Sequence, residues 1–261
     1  MKALVLSDLH WNYHDIHDSY SILKLKRIFH NFIKEDYDIV LISGDIFESS
    51  IMKYNNPFVN PYIILEEIFE NKKVIFCLGN HEFAFQDYYA VLDYYGKKQL
   101  NNGIYCLDIC DKIMIDNINF VGNVFWYDWS LNHNRLLMKG EILNGWLDHT
   151  IINFDPIKYN EINKNSILQS LSKENKNVLI THTVPHKDLN TFSIEEPYSA
   201  YNAYSGCDDF LKEIKDYPVE YAICGHTHRR EIKEIYGIKC INIGNDYFFH
   251  TNKIEYKVIE L

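Results

Sequence analysis

CxxC pairs are missing from this chain: Cys77, Cys106, Cys110, Cys207, Cys224 and Cys240 include none and have no scaffold-like spacing. Several sit inside apolar runs such as VIFCLG and YAICGH, where a free cysteine behaves as a small buried hydrophobe. The pattern argues against a disulfide framework and a thiolate metal site, and it fits a reducing compartment. Apolar runs long enough to span a bilayer are also missing. The N-terminus passes straight from MKALVL into SDLH, which leaves no room for a removable signal peptide. A soluble, cytoplasmic protein with no membrane partner is the expectation.

Basic charge is in short supply too. With 26 Lys+Arg against 36 Asp+Glu, the formal net charge is −10. Such a chain repels polyanions on average, which disfavours extended contact with nucleic-acid backbone or anionic lipid. Bound cations would offset part of that carboxylate excess. No Pro/Gly/Ser linker and no internal repeat divides the sequence, so residues 1–261 read as one domain. At 47% hydrophobic and 24% charged residues the composition is globular, with enough chain to bury a sizeable core. The high aromatic share, 15%, reads as compositional bias rather than as a special function.

What is present is a series of short apolar runs at 2–7, 38–43, 73–78, 177–181 and 221–224, each with the length of a buried strand. Helical spacing of Ile22, Leu25, Ile28/Phe29 and Phe32/Ile33 predicts a helix over 19–34. Asn60-Pro61 predicts a capped helix running to about Glu70, and CDDFLKEIKDY a third helix over 207–217. Hairpins are expected at 114–123, turning at Asn117, and at 232–243, turning at Tyr236-Gly237. Strands alternating with helices, plus hairpins, indicate a mixed α/β architecture with two sheets packed face to face. Residues 126–176, rich in Trp and Asn, read as an irregular, partly helical, cap-like insert.

Chemistry collects at the carboxyl ends of the predicted strands. Asp8-Leu9-His10, Gly44-Asp45, Gly79-Asn80-His81-Glu82, His182 and Gly225-His226-Thr227-His228 each follow one apolar run. Taken singly, most of these fragments are ordinary turn chemistry. Together they place Asp, Asn and His at five successive strand ends, where ligands of α/β sheets bind. Imidazole and carboxylate without thiolate suit Mn, Fe, Zn or Ni. Seven donors, with His81 set aside, exceed the needs of one ion and fit two that share a carboxylate. Glycine before Asp45, Asn80 and His226 permits sharp turns and close backbone approach.

In that order SDLH, SGDIFE, GNHE, ITH and GHTH resemble the five signature motifs of the calcineurin-like metallophosphoesterases, over residues 8–228. YNAYSG (201–206) and WYDWS (126–130) are similar to weaker features of some relatives. The resemblance implies a four-layer α/β/β/α sandwich and two divalent ions, Mn foremost, with Fe, Zn or Ni as alternatives. It assigns Asp8, His10, Asp45 and His228 to one ion, and Asp45, Asn80, His182 and His226 to the other. His81 would be catalytic without ligating, stabilising the transition state or protonating the leaving oxygen. Hydrolysis of phosphomonoesters or phosphodiesters by a metal-bridging hydroxide is the implied reaction. The rivals are a DNA nuclease of the recombination branch, which the acidic balance disfavours, and a non-enzymatic scaffold, which a complete ligand set disfavours. A small molecule or phosphoprotein is a better-matched substrate than a polynucleotide.

Glu48 and Glu82 are expected to support the ligands or the local fold. Arg229 and Arg230 are candidates for phosphate contact, and His14, His17 and His133 for the pocket lining, although solvated positions explain all five. The same holds for His149 and His186. Selectivity is expected to lie in 11–18, 126–150 and 184–206. There Trp11, Tyr13, Trp126, Tyr127 and Trp129 would either stack on a nucleobase or pack the insert.

Overall fold

The computed structural model describes residues 1–53, 59–132, 138–190, 198–245 and 254–261. The predicted apolar runs form the parallel centres of two sheets. Strands β1 (Lys2–Leu6), β2 (Ile39–Ser43), β3 (Lys73–Cys77) and β4 (Ile104–Cys106) lie side by side in parallel, and β11 (Lys257–Glu260) pairs antiparallel with β1. The second sheet has the order β5-β6-β7-β8-β10-β9. Its strands are β5 (Lys112–Ile115), β6 (Ile118–Asn123), β7 (Lys176–Thr181), β8 (Val219–Cys224), β9 (Arg230–Ile235) and β10 (Ile238–Ile243). β6, β7, β8 and β10 are parallel, whereas the edge strands β5 and β9 run antiparallel to their hairpin partners.

Side chains alternate faces along each strand, and that alternation builds three apolar layers. Ala3 and Val5 of β1, Leu41 of β2 and Ile75 of β3 meet Phe120, Val178, Ile180 and Ile223 between the sheets. The alternate residues Leu4, Leu6, Val40, Ile42 and Phe76 face helices α1 (Ser19–Phe32), α2 (Pro61–Ile68) and α3 (Tyr88–Lys98). On the far side, Val121, Leu179 and Ala222 pack with Ile167 of α4 (Pro156–Ser170) and with Phe210, Leu211 and Ile214. Helices, sheet, sheet, helices: the four-layer sandwich of a mixed α/β fold is present.

Local sequence chemistry explains the boundaries. Asp18 caps α1 by accepting from Ser21 N–H at 2.8 Å, and Asn60 caps α2 through Tyr62 N–H at 3.0 Å with Pro61 in the first turn. Both hairpins turn through two residues with positive φ, Asp116-Asn117 (48° and 64°) and Tyr236-Gly237 (54° and 80°), as two-residue hairpin turns require. The helix expected over 207–217 is reduced to one turn, Leu211–Ile214. Upstream of it, Cys207 N–H donates to Val184 O (2.9 Å), Phe210 N–H to Pro185 O (3.0 Å), and Asp208 O accepts from Lys187 N–H (2.9 Å). Tertiary backbone pairing therefore overrides helix propensity there. The segment 126–176 contains the 15-residue α4 and sends Trp126, Tyr127, Trp129 and Tyr159 into the same core as α1–α3.

All six cysteines are free. Among the described residues, no helix is long and apolar enough to cross a membrane.

Candidate metal centre

The carboxyl ends of β1, β2, β3, β7 and β8 deliver the five motifs to one edge of the sandwich. The β1–β2 pairing continues into the loops, with Asp8 N–H donating to Gly44 O (3.1 Å) and His10 N–H to Asp45 O (2.9 Å). Five residues of the motifs adopt left-handed backbone: Asp8 (φ 53°), His10 (50°), Asp45 (49°), His226 (67°) and His228 (51°). Asp and His are among the side chains that tolerate this region best, and such strain gathers at functional sites. The sheets close in tightly here. A Cβ on Gly44 (φ 83°) would lie 2.3 Å from His182 Nδ1, and one on Gly79 would lie 2.1 Å from Asp45 Oδ1. Only glycine lets these loops carry their neighbours so near each other.

Two groups of donors face one another across Asp45. In the first, His10 Nε2 lies 3.4 Å from His228 Nε2, which lies 3.8 Å from Asp8 Oδ1. In the second, His182 Nε2 is 3.0 Å from Asn80 Oδ1, 3.2 Å from His226 Nδ1 and 3.3 Å from Asp45 Oδ2. Asn80 Oδ1 is also 3.1 Å from His226 Nδ1. Asp45 Oδ2 reaches the first group as well, 3.8 Å from His10 Nε2. Donor atoms of Asp8, His10 and His228 lie within 4.8 Å of one another, as do those of Asp45, His182 and His226. The two histidines of GHTH divide, His226 to one group and His228 to the other.

The second group has the wrong polarity for a hydrogen-bond network. His182 Nδ1 lies 2.9 Å from Ser43 O and His226 Nε2 lies 2.9 Å from Tyr204 O, so these nitrogens carry the ring protons. That leaves His182 Nε2, His226 Nδ1, Asn80 Oδ1 and Asp45 Oδ2 as four acceptors converging on one point. A cation satisfies such a set well, and without a metal a proton on His182 supplies the positive charge. Burial would lower His182, but Asp45 lifts it to about 10. Burial together with His182 pushes His226 down to about 3. Asp45 itself is fully buried, a penalty outweighed by His182, His81 and His10, which hold it well below the usual carboxylate range. A divalent cation would displace that proton on binding, so the donor set fits a metal.

Three carboxylates support this arrangement. Glu48 Oε1 accepts from His10 Nδ1 (3.0 Å) and His81 Nδ1 (2.9 Å), which turns His10 Nε2 toward His228. Burial lowers His81, but Asp45 and Glu48 raise it to about 9, leaving an imidazolium at neutral pH. Glu82 accepts from the backbone N–H of Ile46 (2.7 Å), Phe47 (2.8 Å) and Gly79 (2.7 Å), clamping the Asp45 loop to the Asn80 loop. Asp148, which the sequence did not mark, is fully buried and accepts from Asn80 Nδ2 at 2.7 Å. Burial raises its carboxyl, and the donors around it pull partly back.

A cavity of about 620 Å³ opens over the site, with His81 and His226 on its floor and Trp146, Tyr201, Asn202 and Arg229 on its walls. Arg229 keeps its candidacy as a phosphate contact; Arg230 instead pairs with Glu255. His14, His17 and His149 are exposed away from that cavity, and buried His186 caps Asp188 N–H at 3.1 Å. His133 lies outside the described residues. Trp11, Trp126, Tyr127 and Trp129 are buried, which makes them core residues rather than a stacking surface. The aromatics that do line the cavity are Trp146 and Tyr201; both fall in the stretches 126–150 and 184–206 expected to carry selectivity, Tyr201 within YNAYSG, although the sequence singles out neither as a wall residue.

The family model for calcineurin-like phosphoesterases matches residues 1–230. The chain belongs to this family. Among solved structures, the phosphopantetheinyl hydrolase of Mycobacterium tuberculosis superposes with a TM-score of 0.68 at 14% identity, covering 99% of this chain and 95% of that one. A dimetal phosphatase from Danio rerio superposes with a TM-score of 0.54, also at 14% identity, covering 100% and 92%. At that identity the likeness extends to the fold. No match was found among curated proteins. A calcineurin-like phosphoesterase is thus established by the family match, and the fold read from the motifs agrees with it.

Proposed function

We propose that this calcineurin-like phosphoesterase is a dinuclear metal-dependent hydrolase of phosphomonoester or phosphodiester bonds. The observation that carries the reading is the set of four converging acceptors, paired through Asp45 with the group of Asp8, His10 and His228. Asp8, His10, His228 and Asp45 would hold one divalent ion; Asp45, Asn80, His182 and His226 would hold the other. Such ions supply Lewis-acid chemistry, lowering the pKa of a water and neutralising charge on phosphoryl oxygens. Nitrogen and oxygen donors without thiolate suit Mn, Fe, Zn or Ni alike; Mn is placed first on the family resemblance.

The chain's own groups supply the rest. His81 borders the cavity as an imidazolium held by Glu48, placed to stabilise the transition state or to give its Nε2 proton to the leaving oxygen. Arg229 on the rim offers a fork of donors to a phosphate or to an acidic part of the leaving group. A cavity of about 620 Å³ and a net charge of −10 favour a small substrate or a phosphorylated side chain over a polynucleotide.

A Mn²⁺-supplemented panel tests this reading. It should contain a generic monoester, a generic diester, nucleotides, cyclic nucleotides, a phosphopeptide and single-stranded DNA. A phosphopantetheinyl ester belongs in it because of the structural neighbour of that name. Turnover of at least one small ester, abolished by chelation and restored by Mn²⁺, is the expected result. Cleavage confined to DNA, or turnover that survives chelation, would contradict it.

A further inference from the structure

Asn80 contributes to the second cluster only if its amide is turned the right way. With Oδ1 toward His182 and His226 it adds an acceptor; flipped, it would aim an NH₂ group at any cation. Nothing in the amide itself prefers one orientation. The partner on its other side does, since Asn80 Nδ2 lies 2.7 Å from Asp148 Oδ1, and an ionised carboxylate can only accept.

Asp148 is in turn held from its far side. Its Oδ2 accepts from Tyr127 OH at 2.8 Å and from Trp146 Nε1 at 2.9 Å. The residue is fully buried in the 3₁₀ turn Leu147–Thr150, which packs against the short helix Asn80–Phe83. Three donors thus converge on one buried carboxylate, a polar network satisfied in a single arrangement. One of the three belongs to the metal-facing amide and another to the indole on the cavity wall.

We infer that Asp148 is a positioning residue: it fixes the Asn80 amide with Oδ1 toward the second cluster and ties that orientation to Trp146 on the cavity wall. The inference rests on the dinuclear reading above. It adds a residue contributed by the 126–176 segment, 68 positions from the amide it orients.

An exchange of the two side chains tests it. In Asp148→Asn the new amide oxygen can serve either Tyr127 and Trp146 or Asn80, but not both sides. Its NH₂ then opposes a donor, and the Asn80 amide is driven to flip. In the double variant Asn80→Asp/Asp148→Asn, the amide at 148 donates to the carboxylate at 80 and accepts from Tyr127 and Trp146. The second carboxylate oxygen at 80 is left facing the cluster, and net charge is unchanged. Mn²⁺ alone should be titrated calorimetrically into the chelator-stripped full chain, with thermal melts as the fold control.

Wild type should bind two ions. Asp148→Asn should keep one near wild-type affinity and weaken the other by about 10- to 100-fold, the usual cost of losing a group that orients a ligand. The double variant should recover the second ion to within a few-fold. If Asp148→Asn binds both ions as wild type does, or the double variant is no better than the single, the positioning role is overturned. Should the single variant fail to fold, the double variant must fold and bind two ions for the role to stand. Fewer than two ions on wild type would remove the dinuclear reading along with this one, a different outcome from failure of the variants alone.

Discussion

Asp45→Asn is expected to abolish phosphoester hydrolysis, lowering turnover by at least about 10³-fold, beyond the 10- to 100-fold that loss of an outer supporting group costs. Asp45 Oδ1 accepts from His81 N–H at 2.9 Å, while Oδ2 faces His182 at 3.3 Å and His10 at 3.8 Å. In the variant the amide oxygen can keep the bond to His81 N–H, so the loop has reason to hold its shape. The NH₂ group must then take the place of Oδ2, presenting donors to both clusters where an anion stood. Both sites should weaken together. Steady-state rates and metal content measured on one preparation check this, and a near-wild-type rate would remove Asp45 from the bridging position.

His81→Ala should have the opposite signature: turnover down by about 10²–10⁴-fold, the range for a lost acid–base group, with metal content unchanged. The backbone interactions of residue 81 survive the substitution, including N–H to Asp45 Oδ1 and the carbonyl that accepts from Ser49 N–H at 3.1 Å. Glu48 keeps its contact with His10 at 3.0 Å, so the first cluster retains its orientation. The pH profile gives a second readout. Asp45 and Glu48 raise His81 to about 9 in the metal-free chain, and cations beside Asp45 would reduce that lift. A function that needs the protonated ring is present below its pKa and lost as pH rises through it. Wild type should therefore show an alkaline fall in kcat/KM at or below about pH 9 that the variant lacks. Loss of metal from the variant would instead make His81 a ligand.

The motif residues were legible because each follows a strand that announces itself by an apolar run, and parallel strands bring their carboxyl ends together. β4, with three residues, is too short to signal itself, and β11 is brief and only partly apolar. α3 was hidden by its tyrosines, in a sequence YYAVLDYYGKK of weak apolar periodicity. The helix over 207–217 was overread because local propensity says nothing of Val184 and Pro185, whose carbonyls capture the backbone first. Asp148 and Trp146 were illegible for a related reason. They lie in irregular chain, and their roles come from tertiary contact: Asp148 meets Asn80, 68 positions away, and Trp146 donates to Asp148 from the cavity wall. In sequence, Asp148 looks like any loop aspartate.

Metal content at full loading is the most direct test of a shared carboxylate between two cation sites. The wild-type chain, stripped with chelator, reloaded with Mn²⁺ and freed of excess ion, should carry about two ions per chain by elemental analysis. Its activity should rise to a plateau only as the second ion binds. Saturation at one ion per chain with full activity would contradict the dinuclear centre.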